Sequence, residues 1–156
     1  MKRIFIGIAY LLLTVIVFVY ILLNAFTKDV LVEGVSRLQH YSIVSATVDT
    51  GLPFIGIVFI IPAFVFTIIA LCSDENAMMK FFRDMFSLFA ALFIAASYGV
   101  AIGRYYNSIS SWFVPIILGI CTVIVLGLSS YGVVNAILKD ELRLKKEKEE
   151  KAEVEE

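Results

Sequence analysis

His40, Cys72 and Cys121 are the residues of this chain best suited to hold a metal or carry redox chemistry, and their spacing suits neither. A metal or haem site needs several ligands that converge, usually from short-spaced pairs. Here one histidine stands alone and the cysteines lie far apart, with no CxxC. Cys72 falls at one end of an apolar run. Cys121 lies about 13 Å from the opposite level of another, at 1.5 Å per helical residue. Bridged cysteines need Cα atoms roughly 4.4–6.8 Å apart, so no disulfide is expected, and each cysteine reads as a small buried apolar residue. Asp29, Glu33 and Asp49 share one loop, but their spacing forms no acid–base motif. Ser/His/Asp and Cys/His constellations and a glycine-rich phosphate loop are all absent from the sequence. The inventory predicts no catalytic residue, no cofactor site and no metal site, and hence a protein that is not an enzyme.

The elements that position these residues are four long apolar runs. They cover about 4–26, 52–72, 85–103 and 112–138, and none contains Asp, Glu, Lys, Arg or His. Each approaches or exceeds the roughly 20 helical residues needed to cross a hydrocarbon core. Sixty per cent of the 156 residues are hydrophobic, above the soluble norm of about 45–50%, and mean hydropathy is +0.92. Backbone groups in lipid must be satisfied internally, so helices are expected. The first run is longer than a secretory h-region and reads as an uncleaved signal anchor. Intramembrane carboxylates mark proton pathways, and their absence from the runs weighs against a proton-coupled exporter. Thr14, Asn24, Thr67, Ser87, Ser97, Ser129, Ser130 and Asn135 are polar residues within the runs. Their expected role is to bond back to their own helix or across to a neighbour.

Charge gives the orientation. Two basic residues precede the first run, two lie in 73–84 and six in 139–156; two lie in 27–51 and one in 104–111. The positive-inside rule then places both termini and the second loop in the cytoplasm. The net charge of −1 argues for no nucleic-acid partner. KDEL at 139–142 is internal, so it carries no retention meaning. The tail "KDELRLKKEKEEKAEVEE" is basic first and acidic last, with favourable i,i+4 pairs such as Glu141/Lys145. It is expected to extend the fourth helix as a charged cytoplasmic arm.

In the external loop 27–51, Leu31, Val35, Leu38 and Tyr41 recur at helical spacing, which predicts an interfacial amphipathic helix. The segment 42–48 is β-branched and is expected to be extended, with Asp49 or Thr50 capping the second span and Pro53 in its first turn. In 73–84, Ser73 can cap a helix and Asp74 and Glu75 suit its first turn. Met78, Phe81 and Phe82 are expected at the interface, with Lys80 and Arg83 reaching to headgroups. Tyr105, Tyr106 and Trp112 suggest an aromatic belt.

Membrane helices associate through close packing at small residues. The third span carries Ser87, Ala91, Ala95, Gly99 and Gly103 at strict i+4 spacing, which predicts a packing groove along its length. The second offers Gly56, Ala63 and Ala70 at heptad spacing, and the fourth Gly119 and Gly127. Together these readings predict an all-α integral membrane protein. Residues 1–138 form a compact four-helix bundle in the cell membrane, with both termini inside, and 139–156 form the charged tail. The expected function is that of a non-enzymatic interaction, accessory or assembly module contacting the bilayer and another membrane protein or itself. The alternatives are a holin-like oligomeric pore former, or a small transporter of an uncharged or lipid-like solute.

Overall fold

A computed structural model describes residues 2–72 and 77–154. Helix α1 covers Lys2–Leu22, strands β1 and β2 cover Asn24–Val32 and Val35–Ser42, and the short α2 covers Ile43–Ala46. The long helices α3, α4 and α5 cover Leu52–Cys72, Ala77–Tyr105 and Phe113–Val154. Four helices, α1, α3, α4 and α5, are long and apolar enough to cross a membrane. Their outer surfaces carry bare large apolar side chains, among them Phe5, Val58, Ile61 and Val123. Exposed leucine-class residues over whole helix faces suit a lipid solvent rather than water.

Each helix buries one stripe at three-, four- or seven-residue steps, the period of a 3.6-residue turn. The stripe is Tyr10, Thr14, Val17 and Ile21 in α1, and Gly56, Ile60, Ala63, Thr67 and Ala70 in α3. In α4 it is Asp84, Ser87, Ala91, Ile94 and Ala101, and in α5 Val114, Leu118, Cys121, Val125 and Ser129. The heptad row of α3 is thus buried throughout, and a Cβ on Gly56 would stand 3.0 Å from Ile94 Cγ1. Beside this seam Phe59 stacks on Phe89 and Phe93, and Phe66 on Phe82 and Phe86, with ring centroids 5.4–5.9 Å apart. Helix α3 is unbroken across Pro62.

The loop 27–51 departs from the expected amphipathic helix. Strands β1 and β2 pair antiparallel, with Val32 opposite Val35. Glu33 and Gly34 both take positive φ, 53° and 81°. That is the geometry of a two-residue type I′ turn, which matches the twist of paired strands. The first helix accordingly stops at Leu22, and 24–26 belong to the strand. The segment expected to be extended instead opens as α2, where Ser42 and Ser45 form a reciprocal capping box. Thr50 Oγ1 accepts from Leu52 N–H at 3.3 Å, and Pro53 sits in the first turn of α3.

The hairpin base is fastened to the α4–α5 connection. Ser110 N–H donates to the Ala25 carbonyl at 3.0 Å, and the fully buried Phe26 meets the Tyr105 ring at 5.7 Å. Tyr105 also stacks on Tyr41, while Tyr106 and Trp112 stand exposed, edge to face. At the other end α5 continues without a break into the charged tail. Its 42 residues reach roughly 63 Å at 1.5 Å each, about twice the thickness of a hydrocarbon core. The expected cap at Ser73 and the acidic pair Asp74 and Glu75 lie outside the described residues.

Candidate functional site

Near the tail end of the bundle, α4 carries Asp84 on the same stripe as Ser87, Ala91 and Ile94, so helical phase turns a carboxylate inward. Asp84 is 5% exposed. Burying a charge costs several kcal/mol unless a partner compensates it, and the partner is the adjacent Arg83. Its Nε and Nη2 donate to Asp84 Oδ1 at 2.8 and 2.6 Å. Neighbours in a helix do not face one another, so the arginine must fold back around α4 to reach. The structure therefore corrects the expectation that Arg83 extends to headgroups: its side chain is 13% exposed and turned inward.

Two other helices complete this knot. From α1, the buried Tyr10 ring lies under the Arg83 guanidinium, 4.4 Å from carbon to centroid, a cation–π distance. The Tyr10 hydroxyl donates to Ser129 Oγ of α5 at 3.5 Å. One turn on, Gly132 faces Asp84; a Cβ there would fall onto the carboxylate. The i+3 step from Ser129 to Gly132 gives α5 a notch in which an acidic side chain fits. The knot holds α1, α4 and α5 together through charge, a ring face and a missing side chain.

A second arginine–aspartate pair lies at the hairpin end. Arg104 Nη1 donates to both carboxylate oxygens of Asp49 at 2.7 and 2.8 Å. These side chains are 44% and 60% exposed. The Arg104 hydrogen bond holds the Asp49 carboxyl below the usual aspartate range.

Between the two ends the interior is apolar and nearly filled. A cavity of about 20 Å³ remains, touched by Thr14, Ser87 and Thr122. Thr14, Thr67, Ser97 and Thr122 each donate to the carbonyl four residues earlier, at 2.7–2.8 Å. This is the own-helix bonding expected of hydroxyls inside spans. The buried Ser87 Oγ has no hydrogen-bond partner among the described residues.

The groove predicted on the third span is not one face within the chain. Ser87 and Ala91 are buried and Ala95 is half-buried, but Gly99 and Gly103 are exposed, with nothing within 4 Å of where a Cβ would stand. At 3.6 residues per turn a strict i+4 row advances about 40° per step, so from 87 to 103 it wraps to nearly the opposite side. Cys121 is buried, whereas Cys72 is exposed, against expectation; both thiols are free. His40 is exposed on β2. The Arg83–Asp84 knot was missed because Asp84 stands one residue before the apolar run. The available signal was phase: Asp84, Ser87 and Ala91 share a stripe, opposite the Ser129–Gly132 step.

These features define a helical protein with four helices suited to crossing a membrane, tied at one end by a buried ion pair and crowned at the other by a β-hairpin. No family model, no curated protein and no solved structure matches the chain.

Proposed function

We propose that the protein is a non-enzymatic interaction module of the cell membrane that acts by contact with another membrane protein or a second copy of itself. In this reading both termini are cytoplasmic, the hairpin stands outside and the α5 arm projects inside. The basic bias of the tail and of 73–84 supports that orientation. The observation that carries the reading is the bare distal half of the hairpin. Leu31, Val35 and Leu38 are 76%, 59% and 59% exposed. An anchored β-ribbon that presents apolar side chains away from its own bundle has the form of a recognition element. The charged groups nearest the bundle are engaged with one another, Arg83 with Asp84 and Arg104 with Asp49, which suits structural ties better than catalysis.

Native purification tests this reading. Wild-type protein and a Leu31→Ser/Leu38→Ser variant are extracted in mild detergent, and co-purifying chains or self-assembly are compared. The variant is expected to insert normally and to lose its partner. Leakage of a small dye from liposomes holding only the purified protein would overturn the module and favour a pore. In a background lacking Cys72 and Cys121, an impermeant thiol reagent should label Ser36→Cys from outside intact cells and spare Glu141→Cys. The reverse pattern would overturn the orientation.

A further inference from the structure

Where α5 leaves the bundle beside α4 there is an open crevice of about 410 Å³. Lys80 and Arg83 of α4 and Lys139 and Arg143 of α5 line it, against the two carboxylates Asp84 and Asp140. Asp84 is already satisfied by Arg83. Arg143 Nε donates to Glu147 at 2.9 Å, with both side chains well exposed; such a surface pair is weak and yields readily to a stronger acceptor. Depth gives the crevice its meaning. A hydrocarbon core of about 30 Å takes roughly 20 helical residues, so α5, starting at Phe113, leaves it near Val133. The crevice begins at Gly132 and runs through Asn135 and Ala136 to Lys139 and Arg143. It therefore straddles the level at which acyl chains give way to headgroups. Between its charged floor at Arg83 and Asp84 and its mouth, Ala77, Phe81 and Ala136 add apolar side chains that suit glycerol and upper acyl carbons, and cations from two helices ring the opening.

We infer that this crevice is a binding site for the phosphate headgroup of an anionic phospholipid. Lys139 and Arg143 receive the charge beside Lys80, and the apolar side chains between floor and mouth receive the top of the lipid. Basic pockets between membrane helices at headgroup level have the physical character of such sites. Arg83 forms the floor and stays with Asp84, so it is not a residue to vary in the test.

The test is thermal melting of the full-length protein in a nonionic detergent with added phosphatidylglycerol, phosphatidylcholine or inorganic phosphate. Phosphatidylglycerol is expected to raise Tm by several degrees, saturably, while the other two leave it unchanged. A Lys80→Gln/Lys139→Gln/Arg143→Gln variant should lose the shift, whereas Lys28→Gln/Arg37→Gln, on the hairpin, should keep it. An equal shift with phosphatidylcholine, or one retained by the triple variant, would overturn the site. An equal shift with inorganic phosphate would make it a free-anion site instead. Should the triple variant fail to fold, a photoactivatable phosphatidylglycerol on the wild type decides: labelling within 77–83 and 132–143 supports the site, and labelling elsewhere refutes it.

Discussion

The two arginine–aspartate pairs near the ends of α4 use the same chemical groups in opposite circumstances. Arg83 and Asp84 are neighbours in sequence and lie inside the bundle; Arg104 and Asp49 are 55 residues apart and lie at the surface. Judged by distance alone they are equivalent, with shortest N···O separations of 2.6 and 2.7 Å. Desolvation separates them. Breaking a buried pair leaves an uncompensated charge with no water to receive it, whereas water and salt replace a lost surface partner. The pair that fastens distant segments of chain is thus the weak one, and the pair between neighbours holds three helices in register, because Tyr10 and Gly132 close around it.

The largest effect should come from Asp84→Ala. It leaves Arg83 buried without its carboxylate, and loss of one partner from a buried pair costs about 3–5 kcal/mol. Thermal melting in detergent should register this as a drop of many degrees or as failure to purify. A loss no greater than that of Asp49→Ala would remove the distinction between the two pairs. Gly132→Ala comes next. The added methyl meets a carboxylate that Arg83 holds in place, and overpacking costs about 1–3 kcal/mol. Combined with Asp84→Ala, Gly132→Ala should cost much less than it does alone, because its obstacle is gone. Strictly additive losses would show that the notch is not built for Asp84.

Tyr10→Phe sharpens the comparison further. It keeps the ring under the guanidinium and removes only the hydroxyl that meets Ser129. A net hydrogen bond is worth about 0.5–1.5 kcal/mol. Tyr10→Leu removes the ring face as well and should cost more; equal losses would mean that the cation–π contact contributes nothing.

The readability of this chain followed how each pattern maps onto geometry. The four long apolar helices were legible because charge-free apolar runs of this length have few outcomes in lipid. Gly56, Ala63 and Ala70 were read correctly as a packing row because a heptad drifts only about 20° per repeat on a straight helix. The row ending at Gly99 and Gly103 is not one face within the chain, because its i+4 spacing drifts about twice as far in four residues. In 27–51 the residues Leu31, Val35, Leu38 and Tyr41 fit a helical period, yet Val30, Val32 and Val35 flank Glu33-Gly34, and turn chemistry overrode the period. The ion-pair knot needed tertiary knowledge: nothing local to Asp84 announces that Gly132 lies opposite.

The smallest expected effect concerns Asp49. Its folded-state pKa is depressed, chiefly by the hydrogen bond from Arg104. A group with a depressed pKa contributes stability above its unfolded value, near pH 4 for aspartate, and loses that contribution as pH falls through the lower folded value. Arg104 stays protonated throughout. The contact should therefore be intact at neutral pH and persist below pH 4 before the carboxylate protonates. Because both side chains are exposed, Asp49→Asn should leave the melting temperature at neutral pH essentially unchanged, in contrast to Asp84→Ala. The carbon-13 shift of the Asp49 carboxyl, followed by NMR in micelles, should give a titration midpoint that rises when Arg104 is replaced by Gln. A midpoint indifferent to that replacement would mean that the 2.7 Å contact does not form in solution, and the comparison would then rest on the buried pair alone.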